Sequence, residues 1–135
     1  MSTVPVAQQL REYLACHHNG MVCAYLYGSQ ARDEAGRHSD VDIAILLEKT
    51  PAPTLDGIGL DLGAEIEDYI GKPVDLVILN RAPVDLIHRI LRDGILVYEG
   101  DTSARIRFEV RARGEYFDLL PYLRRYRRTN QEHQA

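Results

Sequence analysis

The stretch that decides the fold runs from Gly28 to Asp42 and reads GSQARDEAGRHSDVD. It lies between two apolar segments, MVCAYLY at 21–27 and IAILL at 43–47. This order predicts a strand, a tight Gly-Ser turn, a short helix over about 30–35 and a second strand over about 40–47. Because residues i and i+2 of a strand point to the same face, we expect Asp40 and Asp42 to project side by side.

Paired carboxylates next to a Gly-Ser turn suggest a particular kind of ligand. Two ionised carboxylates that are held close together repel each other unless a cation lies between them. Mg²⁺ is the hard cation that prefers such oxygen ligands. The backbone N–H groups and the hydroxyl at Gly28 and Ser29 can in turn bind an anion. A cation site beside an anion site predicts a pocket for a nucleoside triphosphate.

A third carboxylate, Asp75, interrupts the apolar segment VDLVIL at 74–79, where an unpaired charge is costly. One interpretation is structural, with Asp75 paired to an arginine or capping a turn. The other is that it completes a metal site with Asp40 and Asp42. Three carboxylates from adjacent strands can hold two ions about 3.5–4 Å apart, which is the geometry for in-line phosphoryl displacement. We therefore predict that all three bind metal and that Asp42 bridges two ions.

Two further residues of the Gly28–Asp42 stretch are candidates for nucleotide binding. Arg32 lies beside the expected pocket, where a guanidinium can clamp phosphate oxygens, although a surface role fits it equally well. The Ser39 hydroxyl either orients the strand that carries Asp40 and Asp42 or only starts that strand. With Gly28 and Ser29, these residues make up the predicted nucleotide-binding set.

Alternating strand and helix segments predict one α/β (α+β) domain over residues 1–135, with a mixed sheet of about four strands and helices packed on it. The pattern leaves the strand order open. A basic C-terminal helix is expected over about 102–128, with an apolar stripe at Ile106, Val110, Phe117 and Leu120. The remaining expected elements are helices at 6–17, 55–70 and 83–92 and strands at 21–27, 40–47, 74–79 and 95–98.

Composition limits the cellular setting. The sequence is 45% hydrophobic, which is ordinary for a globular protein, and it has no apolar run of the ~20 residues that span a bilayer. The first residues lack a signal-peptide pattern, so we expect a cytoplasmic protein with Cys16 and Cys23 as free thiols. From residue 105 onward, eight arginines oppose four acidic residues, a net charge of +4, whereas the whole chain carries −4. This basic segment either contacts a partner or is a solvated helix face.

Gly28-Ser29, ten intervening residues, Asp40-Val41-Asp42 and the downstream Asp75 resemble the signature of the DNA polymerase beta nucleotidyltransferase superfamily. The short length resembles its minimal nucleotidyltransferase (MNT) branch, the antitoxins encoded beside HEPN-domain toxins. The resemblance covers nearly the whole chain and implies the small nucleotidyltransferase fold. It also implies that Gly28 and Ser29 contact the triphosphate and that the three aspartates bind Mg²⁺, with Asp75 able to help deprotonate the attacking hydroxyl.

The same resemblance implies a Mg²⁺-dependent protein adenylyltransferase. Such an enzyme transfers AMP from ATP to a tyrosine hydroxyl of a cognate HEPN toxin, releases pyrophosphate and so neutralises the toxin. The alternative is a binding-only antitoxin that silences the toxin by direct contact, with an inactive or regulatory nucleotide pocket. Transfer onto a small molecule would need a sizeable acceptor domain, and a polymerase would need a duplex-binding domain. Beyond the final helix this sequence predicts neither, so we expect no nucleic-acid partner. The absence of a long apolar run likewise leads us to expect no membrane contact.

Overall fold

Four strands form one mixed sheet in the computed structural model, which describes residues 4–18, 20–28, 40–50 and 58–134. The strands are β1 (Met21–Tyr27), β2 (Val41–Leu47), β3 (Val74–Ile78) and β4 (Ile95–Glu99), and their order across the sheet is β3-β2-β1-β4. β1 is antiparallel to β2 and β4, and β2 is parallel to β3. The predicted mixed sheet of about four strands is confirmed, and the structure supplies the order that the pattern left open.

Four helices accompany the sheet in the described ranges: α1 (Val6–Cys16), α2 (Ile58–Ile70), α3 (Val84–Asp93) and α4 (Thr102–Gln134), with a 3-10 turn at Leu79–Arg81. Most boundaries agree with the prediction to within about two residues, but α4 continues beyond 128. Asp101 caps α4, because its Oδ1 accepts a hydrogen bond of 3.0 Å from the Ala104 backbone N–H. The short helix predicted at 30–35 and the first residues of the helix predicted at 55–70 lie outside the described residues.

Hydrophobic side chains cover both faces of the sheet. On one face, α1 and α2 pack through Leu10, Leu14 and Ile66 against Ile43 and Ile45 of β2. On the other face, α3 and α4 contribute Ile87, Ile90, Phe108 and Ala112, which pack against Val22, Tyr25, Ala44 and Leu46. The odd-numbered residues of β2 therefore face α1 and α2, and the even-numbered ones face α3 and α4, as the two-residue period of a strand requires.

A side chain joins β2 to the turn that follows β3. The Asn80 Nδ2 group donates to the Leu47 carbonyl oxygen at 2.9 Å, and Asn80 Oδ1 accepts from the Leu47 backbone N–H at 2.9 Å. Asn80 thus satisfies both backbone groups of the last residue of β2, where the β2–β3 ladder has already ended. This contact fixes β3 against β2 at the end of the strands opposite to Asp42 and Asp75.

The first half of α4 is fixed to the sheet by a polar network. The buried Tyr25 hydroxyl donates to Glu109 Oε1 at 2.6 Å, and Arg105 pairs with Glu109 at 2.9 Å and also with Glu99 at the end of β4. Burial and the contact with Glu109 raise the pKa of Tyr25 well above its ordinary value, so this side chain stays neutral and remains a hydrogen-bond donor. The network sets which face of α4 meets the sheet.

The predicted apolar stripe of the C-terminal helix does not pack on the sheet. Ile106, Val110 and Phe117 are 47, 62 and 64% exposed, whereas Phe108 and Ala112 are buried. The face of α4 that packs on the sheet is a different one, with small residues around Phe108 that fit against β1, and the Tyr25–Glu109 bond holds that orientation. The outer face of α4 is consequently apolar and exposed.

Candidate active site

A row of three polar side chains crosses the sheet at one end. Tyr27 of β1 is the register partner of Asp42 in β2, and Asp42 is the register partner of Asp75 in β3. Residues that are paired across neighbouring strands point to the same face, and adjacent strands lie about 4.8 Å apart. The sheet therefore holds the Asp42 and Asp75 carboxylates side by side, as the sequence predicted for residues of adjacent strands.

Asp40 lies just before β2 and is exposed. It is close enough to Asp42 for its charge to disfavour a second negative charge there. The structure thus brings Asp40, Asp42 and Asp75 to the same end of the sheet. Within the described ranges, however, no three His, Cys, Asp or Glu side chains come close enough together to form a complete metal site by themselves.

Gly28 follows β1 directly and approaches Asp42 closely. Its φ of +73° lies in the left-handed region, which a residue without Cβ adopts without strain. A Cβ atom built on Gly28 would clash with the Asp42 carboxylate Oδ2. The backbone conformation therefore favours glycine here, and any larger residue would also displace the Asp42 carboxylate.

Charge accumulates at this end of the sheet. The pKa of Asp42 is raised from its ordinary value, first by burial and then by the nearby charges of Asp75 and Asp40. Burial and the charges of Asp42 and Asp75 raise the pKa of Tyr27 to about 12, while Arg89 acts in the opposite direction. Ionised Asp42 is thus destabilised in the protein alone, and a cation that bound beside it would relieve this repulsion.

A cleft of about 430 Å³ opens over the row of polar side chains. β1, the turn after it and β2 and β3 contribute Tyr27, Gly28, Asp42, Asp75 and Val77, and α3 contributes Leu86, Arg89 and Asp93. Among the described lining residues, Arg89 is the only cation. A cleft with carboxylates on the sheet and a guanidinium on the facing helix can hold a polyanion together with its counter-ion.

The carboxylates fit a divalent cation that is shared with a phosphate ligand. Mg²⁺ is usually held by one or two protein carboxylates, while water and substrate phosphates fill the other positions. Asp42 and Asp75, with Asp40 beside them, would be the protein's part of such a set, and none of the three forms an ion pair with a described cation. A site for Mg²⁺ bound together with a phosphate must leave coordination positions that the protein does not fill, and carboxylates from only two or three residues would leave them.

The sequence did not indicate two residues that line the cleft, and three predicted nucleotide-binding residues fall outside the described ranges. Tyr27 lies on the same strand face as Tyr25, but Tyr25 is buried, whereas Tyr27 ends β1, is half-buried and lines the cleft beside Asp42. Arg89 belongs to no recognisable motif, and only its position on α3, the helix that follows the third strand, could have indicated that it lines the cleft. The predicted nucleotide contacts Ser29, Arg32 and Ser39 lie outside the described residues.

The class of protein that carries this mixed sheet and its paired carboxylates follows from a family model. The family model described as "Polymerase beta, Nucleotidyltransferase" matches residues 8–103, so the chain belongs to the polymerase beta nucleotidyltransferase family. The matched region contains every strand, Gly28 and the three aspartates, and it ends at the start of α4. Among curated protein sequences, none matches the chain.

Solved structures share the fold beyond that region. A chain of a toxin–antitoxin crystal structure with AMP-PNP has a TM-score of 0.73 at 24% identity, over 96% of this chain and 98% of that one. A chain from the complex of a tri-AMPylated Shewanella oneidensis HEPN toxin with an MNT antitoxin has a TM-score of 0.68 at 22% identity, over 96 and 99% of the two chains. A candidate minimal nucleotidyltransferase is 30% identical over 70% of this chain and 98% of its own, with a TM-score of 0.53. The high coverage of the first two includes α4.

Proposed function

We propose that this protein is a Mg²⁺-dependent nucleotidyltransferase antitoxin that transfers AMP from ATP to a tyrosine hydroxyl of a cognate HEPN toxin. The observation that carries the proposal is the registered pair Asp42 and Asp75 at the mouth of the cleft, with Asp40 adjacent and Gly28 in contact range of Asp42. Family membership supports nucleotidyl transfer in general. The choice of acceptor is supported by fold similarity to chains of toxin–antitoxin complexes, one with a tri-AMPylated toxin.

Each predicted site residue is assigned a role in this mechanism. Gly28 and the Ser29 hydroxyl would hold the β- and γ-phosphates, with Arg32 as a further phosphate contact and Ser39 orienting the aspartate strand. Asp40, Asp42 and Asp75 would hold Mg²⁺, and two ions are the number that three carboxylates accommodate. Bound Mg²⁺ neutralises charge on the α-phosphoryl group and on the departing pyrophosphate.

Besides the Mg²⁺ site, the transfer step involves the acceptor, the donor and a base. The tyrosine oxygen forms a bond to the α-phosphorus of ATP while the bond to pyrophosphate breaks. The Asp75 carboxylate accepts the hydroxyl proton, directly or through water. Arg89, on the helix facing the carboxylates, is positioned to stabilise the negative charge that develops on the transferred group.

The exposed face of α4 is the surface we assign to toxin contact. Ile106, Val110 and Phe117 form an apolar stripe on a helix segment whose net charge is positive. An apolar stripe flanked by arginines fits a partner surface that is apolar at its centre and acidic at its rim. The family match ends at residue 103, and the described residues that line the cleft all precede α4.

The experiment that tests the proposal incubates the protein with ATP, Mg²⁺ and the HEPN toxin and reads the intact mass of the toxin. The wild type should add one or more AMP units, and Asp42→Asn should add none. Asp68→Asn is the matched control, since it removes the same charge from the exposed surface of α2, on the opposite face of the sheet. A stable complex with no added mass would instead support the binding-only antitoxin.

A further inference from the structure

A second cavity lies between α3 and α4, next to the catalytic cleft. It has a volume of about 210 Å³, and we call it the arginine pocket; its lining residues are Asp85, His88, Arg89, Arg92, Tyr116 and Arg127. Arg89 lines both cavities. The arginine pocket therefore adjoins the cleft on the α3 side, away from the turn at Gly28.

The arginine pocket carries an excess of positive charge. Its three arginines face one carboxylate, that of Asp85. Arg92 is engaged by Asp93 through two hydrogen bonds of 2.9 and 3.0 Å. Arg89 and Arg127 form no ion pair with any carboxylate in the described ranges. The Arg127 guanidinium is thus available to an anion, next to Arg89, which this pocket shares with the cleft. A planar guanidinium matches the geometry of a phosphate.

One wall of the arginine pocket is held rigidly. The His88 and Tyr116 rings stack with their centroids 3.6 Å apart and their planes 1° from parallel. This contact joins α3 to α4 and fixes the spacing between the helix that carries Arg89 and the helix that carries Arg127. The backbones that carry these two arginines are therefore already held in place before a ligand binds, which lowers the ordering cost of binding.

We propose that the arginine pocket binds a phosphodiester on the acceptor, that is, the phosphate of a tyrosine that already carries one AMP. This inference rests on the proposed transfer reaction. The donor triphosphate has its own anion site at the Gly28 turn and its own cation site at Asp42 and Asp75, so a second anion at Arg89 belongs on the acceptor side. Binding there would place the attached nucleotide's ribose beside the cleft.

A second transfer then follows the same chemistry as the first. A ribose hydroxyl oxygen of the attached AMP forms a bond to the α-phosphorus of a new ATP, and the bond to pyrophosphate breaks. The hydroxyl proton passes to the carboxylate of Asp75. No reactant other than a second ATP is needed. The arginine pocket is thus a specificity site for successive transfer.

The test measures binding and transfer with two variants of neighbouring residues. Arg127→Gln removes a lining cation, and Arg128→Gln removes the same charge from an exposed residue that does not line the pocket. With the cleft filled by AMP-PNP and Mg²⁺, a peptide whose tyrosine carries AMP is titrated calorimetrically. We expect Arg127→Gln to weaken peptide binding about five- to tenfold, Arg128→Gln to leave it unchanged, and neither variant to alter the affinity for AMP-PNP.

Transfer kinetics provide the second readout. Arg127→Gln should add the first AMP to the toxin at the wild-type rate and the second several-fold more slowly. Equal peptide binding by the two variants would overturn the proposal, as would an equal loss of AMP-PNP affinity in Arg127→Gln, which would assign the pocket to the donor. Peptide binding that depends on Arg127 without any AMP transfer would refute the proposed function but would support phosphodiester binding by the arginine pocket.

Discussion

Replacing Asp42 by asparagine should make the metal-free protein more stable, although it should abolish its chemistry. Asp42 and Asp75 are register partners on adjacent strands, which places their carboxylates about 5 Å apart. Two unit charges at that distance repel by about 3 kcal/mol at an effective dielectric constant of 20 and by about 0.8 kcal/mol in water. Asp75 is exposed, so the repulsion that the substitution removes lies near the lower value, about 1 kcal/mol.

The assay is thermal unfolding without divalent ions, at low salt and at several pH values. For a domain of 135 residues, about 1 kcal/mol corresponds to a rise in Tm of about 3–5 °C at pH 7. Because the folded protein raises the pKa of Asp42, the native state binds more protons than the unfolded chain just above pH 4. The wild type therefore loses stability as the pH rises through that window, and its deficit relative to Asp42→Asn grows from pH 4 to pH 7.

Added Mg²⁺ should reverse the order. An ion that binds only the native state stabilises it, by about 1.4 kcal/mol at ten times its dissociation constant. The wild type should gain this stability and Asp42→Asn should not, while Asp68→Asn should behave as the wild type in both conditions. A lower stability of Asp42→Asn than of the wild type at pH 7 without metal would contradict the repulsion between Asp42 and Asp75. Equal stabilisation of both proteins by Mg²⁺ would contradict metal binding at Asp42.

Two further substitutions test the site and its support. Gly28→Ala and Gly20→Ala place a Cβ at similar positive φ angles, which costs about 1–2 kcal/mol in each, but only the first makes contact with Asp42. We expect Gly28→Ala alone to lose the Mg²⁺-dependent rise in Tm, and a retained rise would argue against the assigned contact. Asn80→Ala removes both hydrogen bonds to the Leu47 backbone, so its free energy of unfolding should fall by about 1–3 kcal/mol in urea denaturation. An unchanged value would mean that water replaces both bonds.

The sequence was most informative where local chemistry decides the structure. The strand at 21–27 is a continuous run of strand-forming residues with a glycine at each end, and its limits were predicted to the residue. The two-residue period of a strand predicted a shared face for Asp40 and Asp42, but β2 begins at Val41, so Asp40 lies just before the strand at the same end of the sheet. Fold recognition from Gly28 and the three aspartates then supplied the class of site, which the registered pair of Asp42 and Asp75 now places at one end of the sheet.

What the sequence left open depends on contacts between distant segments. Helix α4 has two candidate apolar faces, and only its fit to β1 and the Tyr25–Glu109 bond select the one with Phe108. Arg89 enters the cleft because α3 crosses the same face of the sheet as Asp42 and Asp75, which no spacing along the chain records. Tyr27 and Tyr25 share a face, yet only Tyr25 lies beneath α4.

No helix of the described ranges has both the length and the apolar content that a bilayer span needs. The two cysteines are free, as predicted, with Cys16 exposed and Cys23 buried. Burial raises the pKa of the Cys23 thiol to about 11, so this residue remains a protonated core side chain. Neither cysteine is among the described residues that line the cleft.

The most direct test of the account asks whether the toxin stays silent after its antitoxin has been removed. The HEPN toxin is incubated with this protein, ATP and Mg²⁺, separated from it, weighed by intact mass and assayed for activity. We predict that toxin treated with the wild type carries added AMP and remains inactive, and that toxin treated with Asp42→Asn is unmodified and fully active. Recovery of full activity by unmodified toxin from the wild-type incubation would contradict transfer and assign the silencing to contact alone.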